Sequence, residues 1–325
     1  MAGNGKKGFS LDGTLATKAE LRFPAGVAAD QAGNLLIADT QDDVIQAVAA
    51  RTGTSYGRQM TVGDIYRVAG DGSRQFSGDG GPATSAGIGA PSAVTVDPAG
   101  NLLIADGTGR IRVVAVSTGR FYGRAMTAGD IYTVAGDGTL GFSGDGGPAT
   151  SAGVAPVGMA VDGAGNLVIA DGFNMRVRVV AERTGRFYGR AMTAGDIYTV
   201  AGNGTSGFSG DGGPATSAGF QEPRAVAVDH AGNIVVADTQ TSLNPAETGN
   251  NRVRVVAVTT GTFDGVRMIA GDIYTVAGTG IPGLSGDGHA ATGAELDEPV
   301  GVSVDQAGNL LVADVGDGRV REISR

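Results

Sequence analysis

The sequence predicts an all-β protein, a β-propeller of five four-stranded blades, and three observations carry that reading. Five fourteen-residue segments align without gaps: GVAADQAGNLLIAD from Gly26, AVTVDPAGNLLIAD from Ala93, GMAVDGAGNLVIAD from Gly158, AVAVDHAGNIVVAD from Ala225 and GVSVDQAGNLLVAD from Gly301. Glycine supplies 58 of the 325 residues while only 5% are aromatic, the composition of short strands and tight turns. No segment shows the apolar period of an amphipathic helix.

The repeat sets the organisation. Its turn aspartates, Asp30, Asp97, Asp162, Asp229 and Asp305, are spaced by 67, 65, 67 and 76 residues, the last interval holding an insertion, TSLNPAETG, after Gln240. Periods of this size belong to solenoids and propellers. Each unit reads as two short β-rich runs flanking the DxAGN turn, a third run such as RVRVVA, and a fourth, DIYTVAG. Glycine and asparagine provide the positive φ that the tight turn needs. A polar hairpin such as TGRFYGRAMTAG joins strands three and four, and a glycine-rich linker, GFSGDGGPATSAG, leads to the next unit.

Four antiparallel strands repeated radially make propeller blades, which leave only short edges open to foreign strands. The expected units are residues 1–70, 71–136, 137–202, 203–278 and 279–325, forming one domain. The last unit ends after its third strand, so the N-terminal MAGNG, which resembles the VAGDG and VAGNG ending other fourth strands, is expected to complete it. The chain begins as though inside a strand, so a trimmed chain or mature fragment is expected.

Charge and composition exclude several function classes. The net charge is −9 with no Lys/Arg-rich run, so a nucleic-acid partner is not expected. There are no cysteines, which removes disulfides, zinc–thiolate sites and a cysteine nucleophile. No apolar run approaches the ~18 residues of a membrane span, and the first residues lack a signal peptide's apolar core. A soluble chain without membrane insertion is therefore expected, secreted or at the cell surface if it is a mature fragment.

The residues from Glu222 to Val256 carry the fullest match to a pattern P-x-G-V-x-V-D-x-x-G-N-hydrophobic-A-D-x-x-N-x-R-V-R, and on it the chain resembles the NHL-repeat family over essentially its whole length. The GFSGDGGPATSA linker and the DIYTVAG strand are similar to those of bacterial secreted NHL proteins and of teneurins. The resemblance implies a propeller scaffold rather than an activity. Amidating lyases, streptogramin lyases and strictosidine-synthase-like proteins lie in the wider group, but the first two depend on histidines. This chain has only His230 and His289.

Motifs with possible chemistry have structural readings beside them. GxGxxG occurs at Gly136–Gly141 and Gly202–Gly207, yet a phosphate loop needs a following helix N-terminus, and here a Gly/Pro-rich segment follows. The SGDGG loops repeat Asp79, Asp145, Asp211 and Asp287, weak calcium candidates because six to eight oxygens are required. Aspartates fixing a turn are the favoured reading there, so neither a cofactor nor a metal is assigned. The strand-end aspartates Asp39, Asp106, Asp171, Asp238 and Asp314, and the tyrosines Tyr66, Tyr132, Tyr198 and Tyr274, recur too often for a single catalytic role.

Function is therefore sought where the repeat breaks. Unit one has Asp42, Asp43 and Gln46 where others carry Asn and Arg; unit three has Phe173 and Met175; unit four has the insertion with Asn244 and Glu247. Arg224 stands where other units have Ala25, Ser92, Val157 and Val300, and Glu222 and Glu298 precede the same proline that follows Phe23. With Phe220 these residues are expected to form a mixed polar and apolar patch at the channel mouth. The functional expectation is a non-catalytic module presenting variable loops to a protein, peptide or glycan. The alternatives are a metal-independent cyclase or lyase acting on a small molecule, with Arg224 as electrostatic stabiliser and Glu222, Glu298 or His289 as acid or base, and a near-symmetric duplicated or designed scaffold without a specific ligand.

Overall fold

The computed structural model describes residues 1–239, 249–263 and 265–324. Their regular structure is strand, interrupted only by three-residue 3-10 turns, and it forms the blade sheets of a β-propeller. The chain divides into two compact units, Met1–Pro156 and Val157–Arg325.

The first unit holds two blades. In chain order their strands are Pro24–Ala29, Leu35–Asp39, Val44–Val48 and Asp64–Ala69, then Ala93–Val96, Leu102–Asp106, Arg110–Val114 and Asp130–Ala135. A two-residue strand of the preceding linker, Thr14–Leu15 or Gly81–Pro82, pairs outside the fourth strand of each blade. Strand two is buried along nearly its whole length because it has sheet neighbours on both edges and packed faces on both sides, which is why LLIAD reads as a continuous apolar run. The core of this unit gathers Leu36, Ile45, Met60, Ile88, Ile104 and Ile131.

The second unit holds three blades. Two have four strands: Pro156–Val161, Leu167–Asp171, Arg176–Val180 and Ile197–Ala201, then Pro223–Val228, Ile234–Asp238, Arg252–Val256 and Asp272–Ala277. The last sheet has three strands among the described residues: Pro299–Val304, Leu310–Asp314 and Arg319–Ile323. The polar hairpin between strands three and four adds a small two-stranded ribbon in four units, for example Gly185–Phe187 against Arg190–Met192.

The recurring polar residues are staples. Asp30 Oδ1 accepts the amides of Ala32 and Asn34, and the Asn34 amide group donates to Asp30 Oδ2 while its own oxygen accepts from Ala50. Asp97 with Asn101, Asp162 with Asn166, Asp229 with Asn233 and Asp305 with Asn309 repeat the clasp. Each fourth-strand tyrosine accepts an amide from its own hairpin, Tyr132 from Thr127 at 3.0 Å and Tyr274 from Ile269 at 3.0 Å. Buried backbone groups thus find partners at every turn.

The N-terminal MAGNG lies against the first linker: the amides of Gly3 and Asn4 donate to Ala16 O and Ala19 O. Gly70 and Asp71 make the same two bonds to Ala83 O and Ala86 O. Its first residues therefore behave as the tail of a fourth strand, as their sequence suggests; completion of the last blade by this segment stays a proposal.

Candidate functional site

The third strand carries one buried arginine in most units, and its surroundings explain the glycine-rich linker. Arg112 donates to Gly87 O at 2.9 Å and Ser77 O at 3.0 Å; Arg254 donates to Gly219 O and Ser209 O, both at 2.7 Å. Both guanidinium groups are fully buried. A planar fork of donors suits such paired acceptors. The linker aspartate closes the arrangement: Asp211 Oδ1 accepts from Arg254 at 2.8 Å while its other oxygen accepts the Thr275 amide of strand four at 2.9 Å. Asp79 likewise takes the Thr133 amide and hydroxyl and pairs with Arg124 at 3.0 Å. The calcium candidates Asp79 and Asp211 are therefore engaged as linker-to-strand staples, and among the described residues no three acidic or histidine side chains cluster as metal ligands.

Aromatic rings cover these cations. Phe76 lies 4.9 Å from Arg112 and 3.9 Å from its strand neighbour Arg110, and Phe208 lies 5.0 Å from Arg254 and 3.8 Å from its neighbour Arg252. Unit one departs from this plan. Gln46 replaces the arginine and donates to Asp39 at 2.7 Å, its own carbonyl oxygen being left without a partner. Lacking a cation and buried, Asp39 has its pKa pushed up to about 6, chiefly by desolvation and partly offset by the Arg22 amide it accepts.

The positions that break the repeat fare differently. Arg224 is the extra residue of a β-bulge, since Pro223 pairs with Asp238 and Ala225 with Ala237; Ala25 and Val300 occupy equivalent bulges. A bulge re-aims one side chain, and this one directs Arg224 onto Glu222 at 2.6 Å in a partly exposed ion pair. Glu298 and Phe23 hold positive φ, 52° and 58°, just before the proline of their own bulges. Phe23 is 64% exposed there, and Phe173, in the turn between strands two and three of its blade, is 61% exposed beside Met175 at φ 49°.

Several expected patch residues serve the scaffold instead. Phe220 is fully buried in the core of the second unit, at the linker position that Ile88, Val154 and Leu296 fill elsewhere. That alignment, an apolar residue after each linker, was the signal for burial. Asp43 accepts the Ala90 amide at 2.7 Å and pairs with Arg74, and Asp42 pairs with Arg22 at 3.4 Å, so both act as internal anchors. Met175 packs against the core of the second unit. Asn244 and Glu247 lie outside the described residues. His289 is exposed at a small cavity of 70 Å³ beside Asp287 and Arg321.

The turn-and-hairpin ends of the blades carry clefts that sequence reading did not mark. One of 470 Å³ lies by Asp30, Tyr56 and Val116, and another of 560 Å³ by Asp162, Tyr188 and His230. In both, the hairpin tyrosine donates to the turn aspartate, at 2.9 Å from Tyr56 and 2.8 Å from Tyr188. Burial and that neighbouring carboxylate push both phenols well up. The signal was the tyrosine of SYG and FYG at one point in each of three hairpins.

Fold and staples together define an all-β repeat protein of the propeller class, whose linkers and strands are locked by buried arginines. Residues 296–323 match the family model described as NHL repeat, and the other four units carry the same strand–turn–strand pattern in a β-propeller fold. It is 28% identical over 271 residues to Teneurin-1 of Homo sapiens, an alignment covering 76% of this chain and 8% of that protein's length. Among solved structures it is similar to an auxiliary nutrient binding protein from Bacteroides ovatus, with TM-score 0.56 and 13% identity over 94% of this chain and 60% of that one. A protein of the same description from Bacteroides thetaiotaomicron gives TM-score 0.51 and 13% identity over 97% and 72%. These likenesses show the fold. Among the described residues no helix is long and apolar enough to cross a membrane.

Proposed function

We propose that this chain is a non-catalytic binding module that offers exposed aromatic and loop residues of a rigid scaffold to a protein or peptide. The observation that carries this reading is Phe23, an exposed aromatic held at φ 58°. A left-handed conformation costs a non-glycine residue on the order of 1 kcal/mol or more, and leaving a phenyl ring in water adds to that. Strain without burial is what an anchor waiting for a partner would show. Phe173 repeats the exposure in the second unit. The enzyme alternative is less supported because the Arg224 guanidinium is already committed to Glu222.

The test is a peptide-library and glycan-array screen of the full chain, repeated with Phe23→Ser and Phe173→Ser. Ligands should be lost about tenfold or more in at least one variant while the melting temperature holds. Equal binding by all three proteins would overturn the reading. Turnover of a small molecule abolished by Arg224→Ala would replace it with the enzyme alternative.

A further inference from the structure

One of the two turn-side clefts is opened by a break in the repeat. At the cleft of 470 Å³ the turn residue Gln31 reaches across to the next blade, its side-chain amide donating to Pro98 O at 2.9 Å, and Ser55 stands on the hairpin side. At the cleft of 560 Å³ all three positions are changed: Gly163 replaces Gln31, His230 replaces Pro98 and Phe187 replaces Ser55. Gly163 has open space where a side chain would begin. The bridging side chain is gone, an exposed imidazole takes the far side, and a phenyl ring lines the cleft. Its volume falls within the roughly 300–1,000 Å³ of small-molecule sites.

The rest of the cleft is held in place by bonds of its own. Tyr188 donates to Asp162 Oδ2 at 2.8 Å, and the same carboxylate accepts the Ala164 and Asn166 amides and the Asn166 side chain. Across the cleft Asp229 makes the matching clasp with Ala231 and Asn233. Val161, Val228 and Val258 add half-buried apolar lining. Arg183 lies 6.0 Å from the Phe187 ring. Among the described residues neither the Arg183 nor the His230 side chain has a hydrogen-bond or ion-pair partner.

Charge decides the class of ligand. The two turn carboxylates oppose an anion, the Arg183 guanidinium opposes a cation, and apolar lining beside hydrogen-bonding groups suits a neutral ring with an apolar face and polar edges. An imidazole can donate through one nitrogen and accept through the other, which matches a hydroxyl group. We propose that this cleft between the third and fourth blades binds a neutral sugar, its ring face on Phe187 and its hydroxyls meeting His230. The site is separate from the exposed aromatics: Gly163 precedes the strand Leu167–Asp171 and Phe173 follows it, so the two lie at opposite ends of the blade.

The experiment titrates the full chain with methyl glucoside, methyl galactoside and methyl mannoside and follows the imidazole proton resonances by NMR. The chain has only His230 and His289, so His230→Gln assigns the signals and His289 serves as internal control. The expected result is a saturable shift of the His230 resonance in the millimolar range with at least one glycoside, the His289 resonance staying in place. Gly163→Gln, which restores a side chain where there is room for one, should weaken that glycoside about tenfold or more while the melting temperature holds. The matching uronic acid and amino sugar should bind more weakly than the neutral ring. No shift of His230 with any glycoside, equal shifts of both histidines, or equal binding by Gly163→Gln would overturn the proposal. Tighter binding of either charged sugar would overturn it in favour of an ionic ligand.

Discussion

Asp39 and Asp238 end equivalent second strands and are both fully buried, yet they keep different company. Asp238 has Arg254 at 3.5 Å, whereas Asp39 has no cation: it takes the Gln46 side-chain amide and the Arg22 backbone amide and lies beside the Asp42 carboxyl. With its pKa raised to about 6, folded Asp39 holds its proton more tightly than the unfolded chain does. The stability it contributes is complete below the ordinary carboxylate pKa and is lost as pH rises through about 6. Urea unfolding at about pH 4.5 and about pH 7.5 should therefore show wild type losing on the order of 2 kcal/mol relative to Asp39→Asn as pH rises. The asparagine can donate to the free Gln46 oxygen. Removing a buried cation has the opposite character: Arg254→Met strands Asp211 and Asp238, and should cost about 3–5 kcal/mol in the same assay.

The linker and the fourth strand are the elements whose fit sets the blade. Gly202, at φ 90°, would bring a Cβ to 2.3 Å from Met175 O, while Gly212, at φ 77°, faces open space. Thermal unfolding should show Gly202→Ala well below Gly212→Ala, since only the first adds a backbone clash to the cost of positive φ for alanine, itself about 1–2 kcal/mol. The linker aspartates give a second expectation. Because Asp79 and Asp211 are occupied by arginine and strand-four donors, calcium and EDTA should leave the melting temperature unchanged; stabilisation by calcium that EDTA reverses would return these loops to metal binding.

At the scale of the whole molecule, a repeat protein is held by the sum of its units and their neighbours, so its weakest part is where a unit has fewest partners. The fifth sheet is that part, with Arg319–Ile323 bonded on one edge and Val320 in water. Native-state hydrogen exchange should find these amides less protected than those of Arg110–Val114 and Arg252–Val256, which lie between two strands. Equal protection would mean that the edge is covered in solution.

The strand pattern, the DxAGN clasp and the five-fold repeat were legible in the chain, because turn chemistry and apolar alternation act over a few residues and recur where they can be compared. Even the burial of Phe220 was written in its alignment with Ile88, Val154 and Leu296. What only the tertiary structure decided was which polar group meets which: that Asp43 holds Ala90, that the third-strand arginine is buried under the glycine linker, and that a bulge turns Arg224 onto Glu222. Those pairings join residues far apart in sequence or hang on one unpaired backbone position, and local propensity carries no information about either.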